Sequence, residues 1–200
     1  DHLLSNNQVD DAREKLLDID YLGKMFNLGK QNLDILQYWL KIGDHKQGEE
    51  YVASVNKYME RDLKEENLDV LENFLSFCFL TSWSSVGVET GELILKANKK
   101  LFGSVHQKTL NIYNHLGNFL NIEADYEKAL NVLNFAIKAQ EKTLGINHSE
   151  TLTAVNNLGL LYFNKGDYEK AEALFKRSKE GSEIALGKDH PTTLTSIGNL

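Results

Sequence analysis

An all-α chain is what this sequence predicts: a right-handed α-α superhelical solenoid preceded by irregular short helices. Three observations predict it. The 200 residues hold one proline, Pro191, and 14 glycines, too few for the turn-rich chemistry of a sandwich or barrel. Apolar residues recur three and four positions apart, the period of a helix face. From about residue 67 onward the sequence also echoes itself with a stride of 42 residues, the mark of an array of equal structural units.

Residues 1–66 carry no echo of that stride but keep helical patterning. It appears in 9–17, in Tyr21-Leu22 with Met25-Phe26, and in Leu33, Leu36 and Tyr38-Trp39-Leu40 with Ile42, so short helix pairs broken at Gly and Asp are expected in this linker region. Charge is uneven along the chain. Residues 1–100 hold 12 basic and 18 acidic side chains against 10 and 11 in 101–200, which assigns the acidity to the front half.

Residues 67–200 read as the array, in units of about 68–109, 110–151 and 152–193, with a truncated unit from 194. Gly103, Gly145 and Gly187 lie one stride apart, as do His106, His148 and His190, Leu110, Leu152 and Leu194, and Asp125-Tyr126 and Asp167-Tyr168. The first unit is degraded: Leu68 falls under Leu110 and Phe102 under Leu144, but Gly87 replaces alanine and Trp83-Ser84 stands where Asp-Tyr is expected, so distortion or a capping role is anticipated. In the clearest unit, Leu152, Val155, Leu158, Gly159 and Tyr162 form one helical stripe, Lys165-Gly166-Asp167 a turn, and Tyr168, Ala171, Leu174 and Phe175 a second stripe. Gly159 and Ala171 are small where the two helices should approach closely. Gly187 suits a left-handed helix end, and Pro191 the first turn of the next helix. With no initiator methionine and a fourth unit that stops after seven residues, the chain is expected to be a segment of a longer array.

Several chemistries are disfavoured. A net charge of −7 and only three arginines argue against a nucleic-acid surface, and no stretch is long and apolar enough for membrane insertion. The three histidines one stride apart cannot converge on one metal ion, because equivalent points on stacked helices stand about a helix diameter apart; each is read as capping or packing at the start of a first helix. Cys78, inside an apolar run, is read as an inert buried thiol in a reducing, cytoplasmic setting. Gly23-Lys24-Met25 and Gly29-Lys30-Gln31 lack the spacing and hydroxyl of a phosphate loop. No catalytic constellation, cofactor site or metal site is found, so the chain is read as a non-enzyme.

The string Asn156-Asn157-Leu158-Gly159-Leu160-Leu161-Tyr162, followed by Gly166-Asp167-Tyr168-Glu169-Lys170-Ala171-Glu172 and Leu186-Gly187-Lys188-Asp189-His190-Pro191, resembles the tetratricopeptide repeat. It is most similar to the long 42-residue variant of kinesin light chains and nephrocystin-3-like proteins. The resemblance implies that first helices line a concave groove, with Asn114, His115, Asn118, Asn156, Asn157, Leu160 and Asn199 facing a peptide ligand, and Asn111, Thr153 and Thr195 beside them. An amide both donates and accepts, which suits a peptide backbone of any sequence. None of these positions is basic, so a mixed apolar and polar internal segment is favoured over an acidic chain end. Self-association through the array is a second partnership that the resemblance allows. The order of short helices, Leu36-Gln37-Tyr38-Trp39-Leu40-Lys41-Ile42-Gly43 and long repeats is also similar to the linker of nephrocystin-3-like NACHT proteins. That likeness implies, as the alternative, a sensor or regulatory segment of a signalling ATPase whose nucleotide module lies outside this chain.

Overall fold

The structure, a computed structural model, describes Asp18 and residues 47–60, 63–80 and 82–200. The helix pairs read in 1–46, and with them most of the proposed linker, lie outside the described residues. The described elements are α1 Gln47–Met59, α2 Glu65–Leu80, α3 Ser84–Phe102, α4 Gln107–Ile122, α5 Tyr126–Thr143, α6 Ser149–Asn164, α7 Tyr168–Leu186 and α8 Pro191–Gly198. They divide into two compact units, one ending at Ile94 and the other Leu95–Leu200.

The first unit is held by aromatic rings. Tyr51 lies 5.2 Å from Phe74 and 5.3 Å from Trp83 between centroids, and Phe77 meets Trp83 edge-on at 5.8 Å. Trp83 thus supplies a packed ring where the other repeats place an aspartate before the second helix. Tyr51, Leu71, Leu75 and Cys78 are fully buried around these rings. Burial pushes the Cys78 thiol up, far from the thiolate that reactivity requires.

The second unit is a stack of helix hairpins. Helix α4 packs on α5 and α6 on α7; α5 also packs on α6 and α7 on α8; and the first helices touch in the series α4, α6, α8. A side-chain Cβ added to Gly117 would stand 2.5 Å from Leu133, and one at Gly159 would stand 2.6 Å from the Phe175 ring. Gly159 therefore marks the close approach, as the sequence suggests. The side chain seated on it is Phe175, with Ala171 buried alongside.

Each hairpin is punctuated by the same three devices. A residue with positive φ makes the turn between the two helices: Ala124 at +59° and Gly166 at +80°. An aspartate then caps the second helix, Asp125 accepting from the Lys128 N–H and Asp167 from the Lys170 N–H, both at 3.3 Å. The ammonium of the same lysine approaches each carboxylate, at 2.9 and 2.6 Å, and this contact, with the cap bond, holds both carboxyls below the usual range. A glycine with positive φ, Gly103, Gly145 or Gly187, closes each second helix. Its carbonyl accepts from the hydroxyl of Thr109, Thr151 or Thr193 at 2.8, 2.9 and 2.8 Å.

The three stride-related histidines cap the first helices: Nδ1 of His106, His148 and His190 accepts from the N–H of Lys108, Glu150 and Thr192 at 3.3, 3.3 and 3.2 Å. Pro191 occupies the first turn of α8, where its missing N–H costs nothing.

Candidate peptide-binding groove

Helices α4, α6 and α8 form one row, and the polar residues between the apolar stripes of this row are the candidate site. A cavity of about 200 Å³ lies between α6 and α8, lined by Thr153, Asn156, Asn157, Pro191, Thr192 and Thr195. Four of these, Thr153, Asn156, Asn157 and Thr195, come from the positions expected at the groove. Both threonine hydroxyls donate to their own helices, Thr153 to the Ser149 carbonyl and Thr195 to the Pro191 carbonyl, each at 2.9 Å. Their oxygens remain available as acceptors.

Asn156 and Asn199 have a second role. The Asn199 amide donates to Asn156 Oδ1 at 3.0 Å, tying α6 to the end of α8, and Asn156 is only 5 % exposed. A second amide bridge joins α6 to α4, Asn164 donating to Asn121 Oδ1 at 3.1 Å, and Gln107 donates to Glu150 at 2.7 Å. All three contacts span 43 residues, one more than the repeat. Asn114 and Asn157 stand at the same 43-residue offset, yet Asn114 Oδ1 is buried without a partner, and Asn157 makes no side-chain hydrogen bond among the described residues. Asn157 is the one amide in the cavity wall that is not committed to a neighbouring helix.

On α4, Asn114, His115 and Asn118 are half-buried, as is Leu160 on α6. Burial holds the His115 imidazole below its ordinary value, so it stands neutral, offering one donor and one acceptor. Cavity residues Pro191 and Thr192 are not among the positions that the sequence assigns to the groove. The signal was present in their place at the first turn of a first helix, next to the histidine cap. Among the described residues no group of His, Cys, Asp and Glu could hold a metal ion, and no helix is long and apolar enough to cross a membrane.

The family model of the tetratricopeptide repeat matches residues 108–183 and 150–200. No curated protein sequence matches the chain. Among solved structures, BtubC (BKLC) from P. vanneervenii is similar with a TM-score of 0.64 at 18% identity, over 100% of this chain and 82% of that one. Two crystal structures of a Podosopora anserina protein, described as a kinesin light chain with nearly identical TPR-like repeats, are also similar. Their TM-scores are 0.61 and 0.58 at 18% and 19% identity, over 100% and 88% of this chain and 86% and 84% of theirs. At such identities the likeness is one of fold.

Proposed function

From the premise that the chain carries tetratricopeptide repeats over residues 108–200, a fold that serves as a scaffold for protein interaction, we propose that the row of first helices grips an extended peptide segment of a partner protein. The observation that carries this reading is the cavity between α6 and α8, walled by Thr153, Asn156 and Asn157 on one side and Pro191, Thr192 and Thr195 on the other, and free of any charged side chain. An uncharged wall of amides and hydroxyls suits a peptide main chain with small polar or aliphatic side chains. It gives a carboxylate or phosphate no countercharge. His115, neutral and half-buried on α4, extends the same chemistry one repeat back.

The test is a peptide array followed by anisotropy titration of the best hit. Asn157→Ala with His115→Ala should weaken binding about tenfold or more, each lost hydrogen bond contributing roughly 0.5 to 1.5 kcal/mol. Unchanged affinity in a folded double variant would remove the groove assignment.

A further inference from the structure

Within the stack, first and second helices start on different chemistry. The second helices begin on a carboxylate, Asp125 for α5 and Asp167 for α7. The first helices begin on an imidazole, His106 for α4, His148 for α6 and His190 for α8, with closely matching backbone angles (φ −69, −69 and −71°, ψ 143, 142 and 139°). Each ring accepts at Nδ1 from the N–H two residues on. That bond needs a lone pair on Nδ1, so the ring is neutral with its proton on Nε2.

An imidazolium carries a proton on both nitrogens and accepts nothing. It also sets a positive charge at the positive end of a helix dipole. Protonation therefore removes the cap and adds a repulsion. A carboxylate cap keeps its acceptor oxygens until it is itself protonated. The side-chain hydrogen bonds from Lys128 and Lys170 hold the Asp125 and Asp167 carboxyls below their usual range, which lies well under the pH at which an imidazole charges. The two kinds of helix thus differ in the acid they tolerate.

No carboxylate pairs with any of the three rings among the described residues. The His106 ring stacks on Phe102 of α3 at 4.8 Å, and the Lys108 ammonium lies 5.9 Å from the same Phe102 ring, with Lys99 and Lys100 in the last turn of α3. At His148 the last turn of α5 brings Lys142, and the carboxylate of Glu150 in the first turn of α6 holds Gln107 of α4. At His190 the link from α7 holds Lys188 and Asp189, and Glu183 stands one turn before Gly187. The helices so capped are those that line the groove. Pro191, Thr192 and Thr195 of α8 form one wall of the cavity, and Thr192 donates its own N–H to His190.

We propose that the row of first helices is an acid-sensitive element: mild acid charges His106, His148 and His190 together, loosens the starts of α4, α6 and α8 while α5 and α7 stay capped, and so releases the ligand of the groove. The release rests on the groove reading above; the loosening does not.

The test follows amide hydrogen exchange of the 200-residue chain at about pH 8 and about pH 5, corrected for the intrinsic pH dependence of exchange. Acid should speed exchange in α4, α6 and α8 about fivefold or more relative to α5 and α7. His106→Asn/His148→Asn/His190→Asn supplies amide caps with no proton to gain and should lose that difference, whereas His115→Gln should keep it. Anisotropy with an array-selected peptide reads the release: affinity should fall about fivefold or more in acid for the parent and hold for the Asn variant. Equal acceleration in all five helices, or a parent response that survives in the Asn variant, overturns the proposal. Loss of the response in His115→Gln overturns it too, by assigning it to that buried ring. Loosened exchange with unchanged peptide affinity overturns the release. If no peptide binds at either pH, the groove reading fails and exchange alone decides the loosening. Should thermal melts show the triple variant unfolded, His190→Asn alone tests α8 against α4 and α6 in the same chain.

Discussion

Gln140 lies at full burial with both amide atoms unpaired, and its equivalents one stride away on either side, Asn98 and Ser182, are likewise buried polar residues with an unpaired atom. A buried amide without partners costs more than an apolar group of the same shape. Gln140→Met should therefore raise the unfolding free energy by about 1 kcal/mol, read from the urea midpoint at unchanged slope. His115 gives a pH dependence of definite sign. Its folded-state affinity for a proton is depressed by burial, so the unfolded chain binds the proton more readily. Stability from this residue is complete above the unfolded value of about 6.5 and is lost as pH falls below it toward the folded value. His115→Gln should flatten that part of the stability profile in thermal melts between neutral and mildly acid pH. None of the buried polar positions on the second helices was legible in the sequence, because Asn, Gln and Ser at a stripe position look like solvent-facing residues until the next helix covers them. The capping role of His106, His148 and His190 was legible, because each stands at the start of a first helix, one stride from the next.

The turn between paired helices carries its strain in one residue. Ala124 takes φ +59° where the next repeat has Gly166 at +80°, and a Cβ in the left-handed region is disfavoured. Ala124→Gly should stabilise the unit by about 0.5 to 1 kcal/mol, and Gly166→Ala should destabilise it by about 1 kcal/mol; denaturant titration of the pair checks both. Helix crossing responds in the opposite direction to added bulk. Gly159→Ala places its methyl against the Phe175 ring and should cost about 1 to 3 kcal/mol in spite of the better helix propensity of alanine. A melting temperature equal to or above that of the parent would show that the hairpin can open at no cost. The hairpins themselves were readable from the stride, since Leu, Gly, Ala and Asp recur at fixed places. The contact between successive first helices was not. It runs at 43 residues, as in Asn156 with Asn199, because a neighbouring helix presents the residue one position along, and a search for identical residues finds only the 42-residue register.

Across the molecule, the row of first helices and the face of second helices offer two different chemistries. The cavity wall of Asn157, Thr153, Thr192 and Thr195 is uncharged, whereas α3 and α5 expose six lysines. Partner recognition by the first is expected to vary little with salt. The sequence carried the fold, but it could not separate amides that bridge helices from amides without a side-chain partner. Asn156 and Asn157 are neighbours of one type, and only packing decides that the first is bound to Asn199 while the second faces the cavity. That distinction leads to the most direct measurement: the side-chain amide signals of the asparagines followed by nitrogen-15 NMR during titration with an array-selected peptide. The account predicts large, saturable shifts for Asn157 and Asn118 and small ones for Asn131 and Asn134 on the exposed side of α5. Shifts centred on Asn131 and Asn134, with Asn157 unmoved at saturation, would contradict it.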